Sequence, residues 1–380
     1  SSLNGLSDVL IDTASEYVGT VPAGLSGNPQ GNTTLGISAG NGLTNGATNT
    51  VIGNDAMKFQ SANSEYAVVG YQAALNCTGN SVTALGFQAA YGGNQDGSVS
   101  IGTSAHGTGF AANDAVAVGS LAAYSGTATG SVVIGKRAGY IGSNKTNCVL
   151  IGFDAGRSAN VSDNVSIGYQ AGYSQTSGAY NTNLGYQAGY SSTTNSSRTM
   201  VGSEAGAYQT GASSTGVGHY ALRQGTGSNN TAVGASAMVG NISSGSFNTA
   251  VGQNALSRAG AKSGNIAVGG DAGRLLQTGG YNTLLGYQSG DSLTTGSNNI
   301  VIGYQAAASA VGISNEITLG DANITALRIP GLQSGASDGD VLTFASGTGL
   351  ITLQAAGGGG ASSLNGLTDC LVDTNSLYVG

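Results

Sequence analysis

The nine residues Asn181-Thr-Asn-Leu-Gly-Tyr-Gln-Ala-Gly189 return as Asn282-Thr-Leu-Leu-Gly-Tyr-Gln-Ser-Gly290, and Val165-Ser-Ile-Gly-Tyr-Gln-Ala-Gly172 repeats the same Gly-Tyr-Gln-Ala-Gly after a β-branched residue. Eighteen glycines preceded by Val, Ile or Leu stand at a regular interval between Gly36 and Gly320, a mean spacing of 284/17 ≈ 16.7 residues. Gly53, Gly70, Gly152, Gly168, Gly185, Gly202, Gly252, Gly286 and Gly303 are among these repeat anchors. Three residues before each anchor stands Thr, Val or Ile, with Ala67 excepted; three after stands Ala, with Ser289 and Asn323 excepted. Asn recurs four before the anchor, for example at Asn32, Asn181, Asn248 and Asn282.

A unit of about 17 residues is too short for a strand, a helix and two loops. It predicts two short strands and two turns, a unit that buries its apolar face only by stacking on its neighbours. The expected fold is all-β: a parallel β-solenoid of about 18 coils over residues 32–323, roughly 85 Å long at about 4.8 Å per coil. Side chains alternate along a strand, so positions −3 and −1 share one face. The expectation places them inward, with Ile52, Val69, Ile134, Ile151, Ile167, Val251 and Ile302 as the core ladder. The anchor glycine serves a backbone turn or a close approach. No Pro falls between residues 30 and 329, where it would remove a ladder hydrogen bond.

Composition excludes several classes. The net charge is −7, charged residues are 8 %, and Gly accounts for 67 of 380 positions. Collagen's strict triplet is absent. The low charge and abundance of β-branched residues argue against disorder. Eleven Lys+Arg in an acidic chain make a nucleic-acid surface improbable. No run of about 20 apolar residues predicts membrane insertion.

One thin roll buries little apolar area for the entropy it loses. Position −2 is often apolar too, as in Val51, Val68, Val133, Leu150, Met200, Leu284 and Val301. Strands apolar on both faces predict burial on both sides. Three chains side by side are the leading expectation, with stacked Asn and Thr supplying polar ladders.

The unit Asn-Thr-x-Φ-Gly-Tyr-Gln-Ala-Gly resembles the head repeat of YadA-like trimeric adhesins, and more closely the repeats of phage tail fibres. The resemblance covers about residues 32–323 and implies a left-handed parallel β-roll assembled as a homotrimer. Ser314-Asn-Glu-Ile-Thr-Leu-Gly-Asp-Ala-Asn-Ile-Thr-Ala-Leu-Arg-Ile329 looks like the stretch that closes many phage fibre shafts.

Flanking the array, residues 1–31 read as an N-terminal connector. Residues 324–361 read as a small β neck, Asp340–Ala345 with Gly349–Leu353, and a joint at Gly357–Gly360. Residues 362–380 match residues 1–19 at fourteen of 19 positions, offset by 361, and read as the start of a next module.

No constellation calls for an enzyme. His106 and His219 lie seven coils apart and read as solvent-facing turn residues, with ion binding at a trimer axis as the weaker alternative. Cys77, Cys148 and Cys370 lack zinc spacing and read as small packing residues. Asp154 with Asp163 and Glu316 with Asp321 read as solvated turn charges rather than catalytic pairs. Tyr71, Phe87, Phe153, Tyr169, Tyr186, Tyr287 and Tyr304 follow their anchors and read as packing against a ladder edge, or as a binding strip. No cofactor and no metal are expected.

The expected function is a non-enzymatic spacer in a long trimeric fibre, a virion tail appendage or an extracellular one. Its partners are further copies of itself, neighbouring modules of the fibre and a cell-surface receptor. The alternative is a bacterial trimeric surface adhesin head that binds host matrix or glycans. An ice-binding solenoid needs an outward Thr rank, and inward Thr at −3 argues against it.

Overall fold

The computed structural model describes residues 9–11, 15–19 and 30–328, apart from 61, 109–111, 241–244, 259 and 261–262, together with strands at 341–345, 350–354, 370–373 and 376–379. The chain divides into two units, Ser1–Asp321 and Ala322–Gly380. The described residues contain no helix.

The first unit is a parallel β-solenoid of about 17 turns. Its strands are mostly three residues long, and each pairs in register with the strand one coil away. Thr182–Leu184, for instance, lies between Val165–Ile167 and Thr199–Val201. The series runs from Thr33–Gly36 to Ile317–Leu319. The expected second strand of each coil forms in only two places among the described residues. Asn76–Cys77 pairs with Gly92–Gly93, and Tyr208–Gln209 with Gln224–Gly225. Single parallel bridges join Thr108 to Ser125 and Thr127 to Asn144, and the rest of the Ser-, Thr- and Gly-rich side closes by turns.

The anchor glycines are sterically compelled. Gly185 has φ +135°, a conformation that L side chains rarely adopt. A Cβ there would stand 2.5 Å from the Gly202 carbonyl oxygen of the next coil. The same two conditions hold at Gly53, Gly70, Gly152, Gly168, Gly202, Gly252 and Gly286, while at Gly303 (φ +133°) the Cβ would meet the Gly320 backbone.

The inward assignment of −1 is corrected by the structure. The middle residue of the strand, position −2, is the buried one: Val51, Val68, Ala84, Val133, Leu150, Met200, Ala250 and Val301 are all closed off. Ile52, Val69, Ile134, Ile151, Ile167, Val251 and Ile302 do form a ladder, but on the outer face, half-buried or exposed. The reason is parity combined with width. The Asn at −4 and the residue at −2 share one face, and the Ala at +3 closes the same narrow interior, with Ala56, Ala122 and Ala188 fully buried. That space accepts Ala, Ser or one larger side chain per coil, but not two β-branched residues beside an Asn.

Each coil begins from the one before. The strand Glu16–Gly19 pairs in parallel with Thr33–Gly36, and Gly19 pairs with Gly36. Gly19 is therefore an anchor too, although it lies in the segment read as connector. Glu16–Gly19 also pairs antiparallel with Val9–Ile11, with Leu10 opposite Tyr17. In the second unit, Cys370–Asp373 and Ser376–Val379 form the same hairpin, with Leu371 opposite Tyr378. Shifted by 361, the two registers coincide. Val341–Ala345 pairs antiparallel with Leu350–Gln354. The joint at Gly357–Gly360 and all three Pro lie outside the described residues.

Candidate functional site: the lateral face of the roll

Because −2 points inward, −3, −1 and +1 point outward together. They form three parallel columns along the roll, such as Thr182, Leu184 and Tyr186 in one coil and Thr283, Leu285 and Tyr287 in another. Positions −3 and −1 carry no charged residue from Thr33 to Leu319. Leu35, Val69, Leu85, Leu184 and Leu285 are 40–49 % exposed. The rings at +1 stack on one another across coils. Tyr71 lies 5.4 Å from Phe87, Phe153 5.5 Å from Tyr169, Tyr169 5.3 Å from Tyr186, and Tyr287 5.7 Å from Tyr304. These rings nevertheless remain 37–63 % exposed. At about 4.8 Å per coil and about 6.8 Å between alternate residues, the three columns cover on the order of 1,100 Å². Within this area only the −1 column is apolar in every coil; −3 is Thr in nine coils, and +1 includes Asn54, Thr103, Ser120, Lys136, Ser203 and Gln253.

Charge on this face is confined to position +1, at Lys136, whose ammonium lies 6.0 Å from the Phe153 ring centroid, and at Asp321 after the last anchor. The ion pairs sit in the turns between neighbouring coils: Arg137 Nη2 with Asp154 Oδ2 at 2.7 Å, Arg223 Nε with Glu204 Oε2 at 2.7 Å, and Arg274 Nη2 with Asp291 Oδ2 at 3.0 Å. Asp154 is thus ion-paired, and Asp163 accepts a hydrogen bond from Asn147 Nδ2. The carboxylate of Glu316 is held by Ser309 and Thr318, which keep its pKa below the usual range.

The interior is more polar than expected. Asn265 shows the pattern. Its Oδ1 accepts from both the backbone N–H and the Nδ2 of Asn282, at 3.0 and 3.1 Å, while its own Nδ2 donates to Gly279 O at 3.0 Å. His106 lies inside the roll rather than on the surface. It is buried, with Nδ1 2.8 Å from Ser100 Oγ, and burial pushes its pKa down to about 3, aided by the charge of Lys145. His219 is exposed.

Sequence reasoning missed Lys145 and Arg198, both wholly enclosed. Lys145 Nζ donates to Gly142 O at 2.7 Å and to Ser125 O. Arg198 Nη2 donates to Gly206 O at 3.1 Å. Burial lowers their pKa values to about 8 and about 10. Cys77 and Cys148 are buried free thiols, and burial raises both pKa values. Nothing is described of the Cys370 side chain.

Among the described residues no group of three or more His, Cys, Asp or Glu is placed to hold a metal ion. Thr at −3 faces outward, so the ground for setting aside an ice-binding surface falls. The bulky −1 and +1 columns beside it still interrupt a flat Thr rank. No protein-family model matches this chain, and no curated protein matches it.

Proposed function

We propose that the roll is a non-enzymatic structural segment of a long trimeric fibre, in which the lateral face of each chain packs against two further copies. The column of Val, Ile and Leu at −1, unbroken in every coil and flanked by stacked rings at +1, carries this reading. An apolar strip repeating every coil over roughly 80 Å is best matched by a surface with the same repeat, which another copy of the chain supplies. The number three and a left-handed coil follow from the resemblance to fibre and adhesin repeats. The fibre belongs to a virion tail or a cell exterior, and its work is mechanical. Continuous parallel ladders resist bending, and the tight turns leave few sites for proteolysis.

Neighbouring residues test it. Leu150 is inside the roll and Ile151 is on its face. Ile151→Asp should leave the β signature in circular dichroism and reduce the sedimenting mass from three chains to one chain of 37.0 kDa. Leu150→Asp should destroy the β signature itself, by burying an unpaired charge. A wild-type chain that sediments as a monomer with its face open would sink the proposal.

A further inference from the structure

We propose that a slot between Tyr91 and Tyr124 binds one pyranose ring of a glycan. The turn position five after the anchor carries Tyr91, Tyr124, Tyr140, Tyr173 and Tyr190, an aromatic column beside the lateral face. Where its members are consecutive they stack, Tyr124 with Tyr140 at 5.4 Å and Tyr173 with Tyr190 at 5.1 Å. Between Tyr140 and Tyr173 the Arg157 guanidinium bridges the two rings, 5.4 and 5.5 Å from their centroids. Between Tyr91 and Tyr124 the same position is Gly107, and there the column is open. A cavity of about 210 Å³ lies at this break, lined by Gln88, Tyr91, Ser104, Gly107, Thr108 and Tyr124. The Tyr124 ring leans over the glycine: a Cβ on Gly107 would stand 2.6 Å from two of its ring carbons.

The lining specifies the ligand class. Two aromatic walls suit the C–H faces of a sugar ring. Gln88 Nε2 donates to Gln72 Oε1 at 2.9 Å, which fixes the amide and turns its own carbonyl oxygen into an acceptor for a ligand hydroxyl. Ser104 and Thr108 add hydroxyls, and no lining residue is charged. A phenyl ring would stack equally well but would leave these polar groups unpaired, which is costly. The volume lies below the about 300 Å³ at which pockets for drug-sized ligands begin, and it suits one ring. The slot goes beyond the spacer reading, because it gives one coil of a structural roll a ligand.

The test is saturation-transfer NMR on the full chain with the methyl glycosides of glucose, galactose, mannose and N-acetylglucosamine at millimolar concentration. Transfer to at least one of them is expected. Tyr91→Ala and Tyr124→Ala should each weaken it at least tenfold. Gly107→Tyr, which fills the break, should abolish it, and Tyr173→Ala, which touches neither wall of the slot, should leave it intact. If Gly107→Tyr fails to fold, the Tyr91→Ala result decides. No transfer to any of the four, or transfer that survives in a folded Gly107→Tyr or in Tyr91→Ala, overturns the proposal. Sedimentation reads assembly separately, so a monomeric chain that binds sugar would refute the fibre and keep the slot.

Discussion

Two stretches of the same roll solve the same packing problem differently. From residue 230 to 299 the position four before the anchor is Asn in five successive coils: Asn230, Asn248, Asn265, Asn282 and Asn299. From residue 82 to 148 it is Val82, Ser98, Ala115, Ser131 and Cys148. In the first stretch four of the five Asn side chains span the interior to a carbonyl 14 or 15 residues on: Asn230, Asn265, Asn282 and Asn299 donate to Gly245, Gly279, Gly296 and Ile313 at 2.8–3.0 Å. In the second stretch the residue four before the anchor is short, and the far wall supplies the bulk. Ser131 reaches Lys145 O and Cys148 reaches Val161 O, where Lys and Val stand in place of Gly. Asn230, Asn265 and Asn282 face Gly, whereas the shorter Ser131 and Cys148 face Lys145 and Val161; Asn299, over Ile313, departs from this exchange. The coil therefore fixes an interior volume, and the sequence can place that volume on either wall.

The largest expected effect is common to both stretches, because the anchor column does not distinguish them. Gly286→Val and Gly135→Val should each cost roughly 3 kcal/mol or more, since a β-branched residue must adopt positive φ and its Cβ meets the next coil's carbonyl. Urea unfolding of the two variants checks this. A large loss in one stretch alone would show that the other does not depend on close coil contact.

The next effect separates the stretches. Asn265→Ala strands the N–H and Nδ2 of Asn282 and the carbonyl of Gly279, at about 2–4 kcal/mol. Ser98→Ala strands only the Ala115 N–H, held at 3.3 Å, for about 1 kcal/mol. Equal losses in the same urea series would remove the ladder as the source of regularity.

A third effect belongs to residues 82–148 alone. His106 has a folded pKa of about 3 against a reference of 6.5, so the unfolded chain binds the extra proton first as pH falls. Stability from this group is intact above about pH 6.5, declines as pH drops toward 3, and is fully lost below. The loss amounts to about 2 kcal/mol at pH 5. His106→Gln should remove that slope relative to wild type, measured as the difference in urea midpoint between pH 7 and pH 5. Parallel curves for the two proteins would refute it.

The period was legible because its anchor admits no substitute. Positive φ and a neighbouring carbonyl together leave only Gly, so the marker stands in every coil. The facing was not legible from hydrophobicity, since Ile52 at −1 and Val51 at −2 look alike. The deciding signal was Asn at −4. A side chain that bonds its own copies up and down the axis belongs inside, and −2 has its parity. Gly19 was missed although it obeys the 17-residue spacing, because it was read with the flanking segment. Lys145, His106 and Arg198 were beyond a periodic reading altogether. Each is a single departure whose cost is met by local carbonyls or a hydroxyl, and an isolated charge in a turn-rich chain reads as solvated.

The smallest effect asks whether surface charge supports either stretch. Arg274 in the regular stretch pairs with Asp291, with both side chains about a quarter to a third exposed. Arg274→Met should cost at most about 0.5 kcal/mol at physiological salt, as exposed pairs do. Arg137, near the irregular stretch, pairs with Asp154, whose side chain is only 3 % exposed. Arg157 Nε lies 3.8 Å from the other oxygen and is a poorer partner. Arg137→Met leaves a nearly enclosed carboxylate short of its best partner, so its loss should be larger, about 1–2 kcal/mol. Raising the salt should shrink the Arg274 effect and leave most of the Arg137 effect, because a covered pair is screened less. If both variants instead fall together with salt, Asp154 is as well solvated as Asp291, and the irregular stretch differs from the regular one only in its interior.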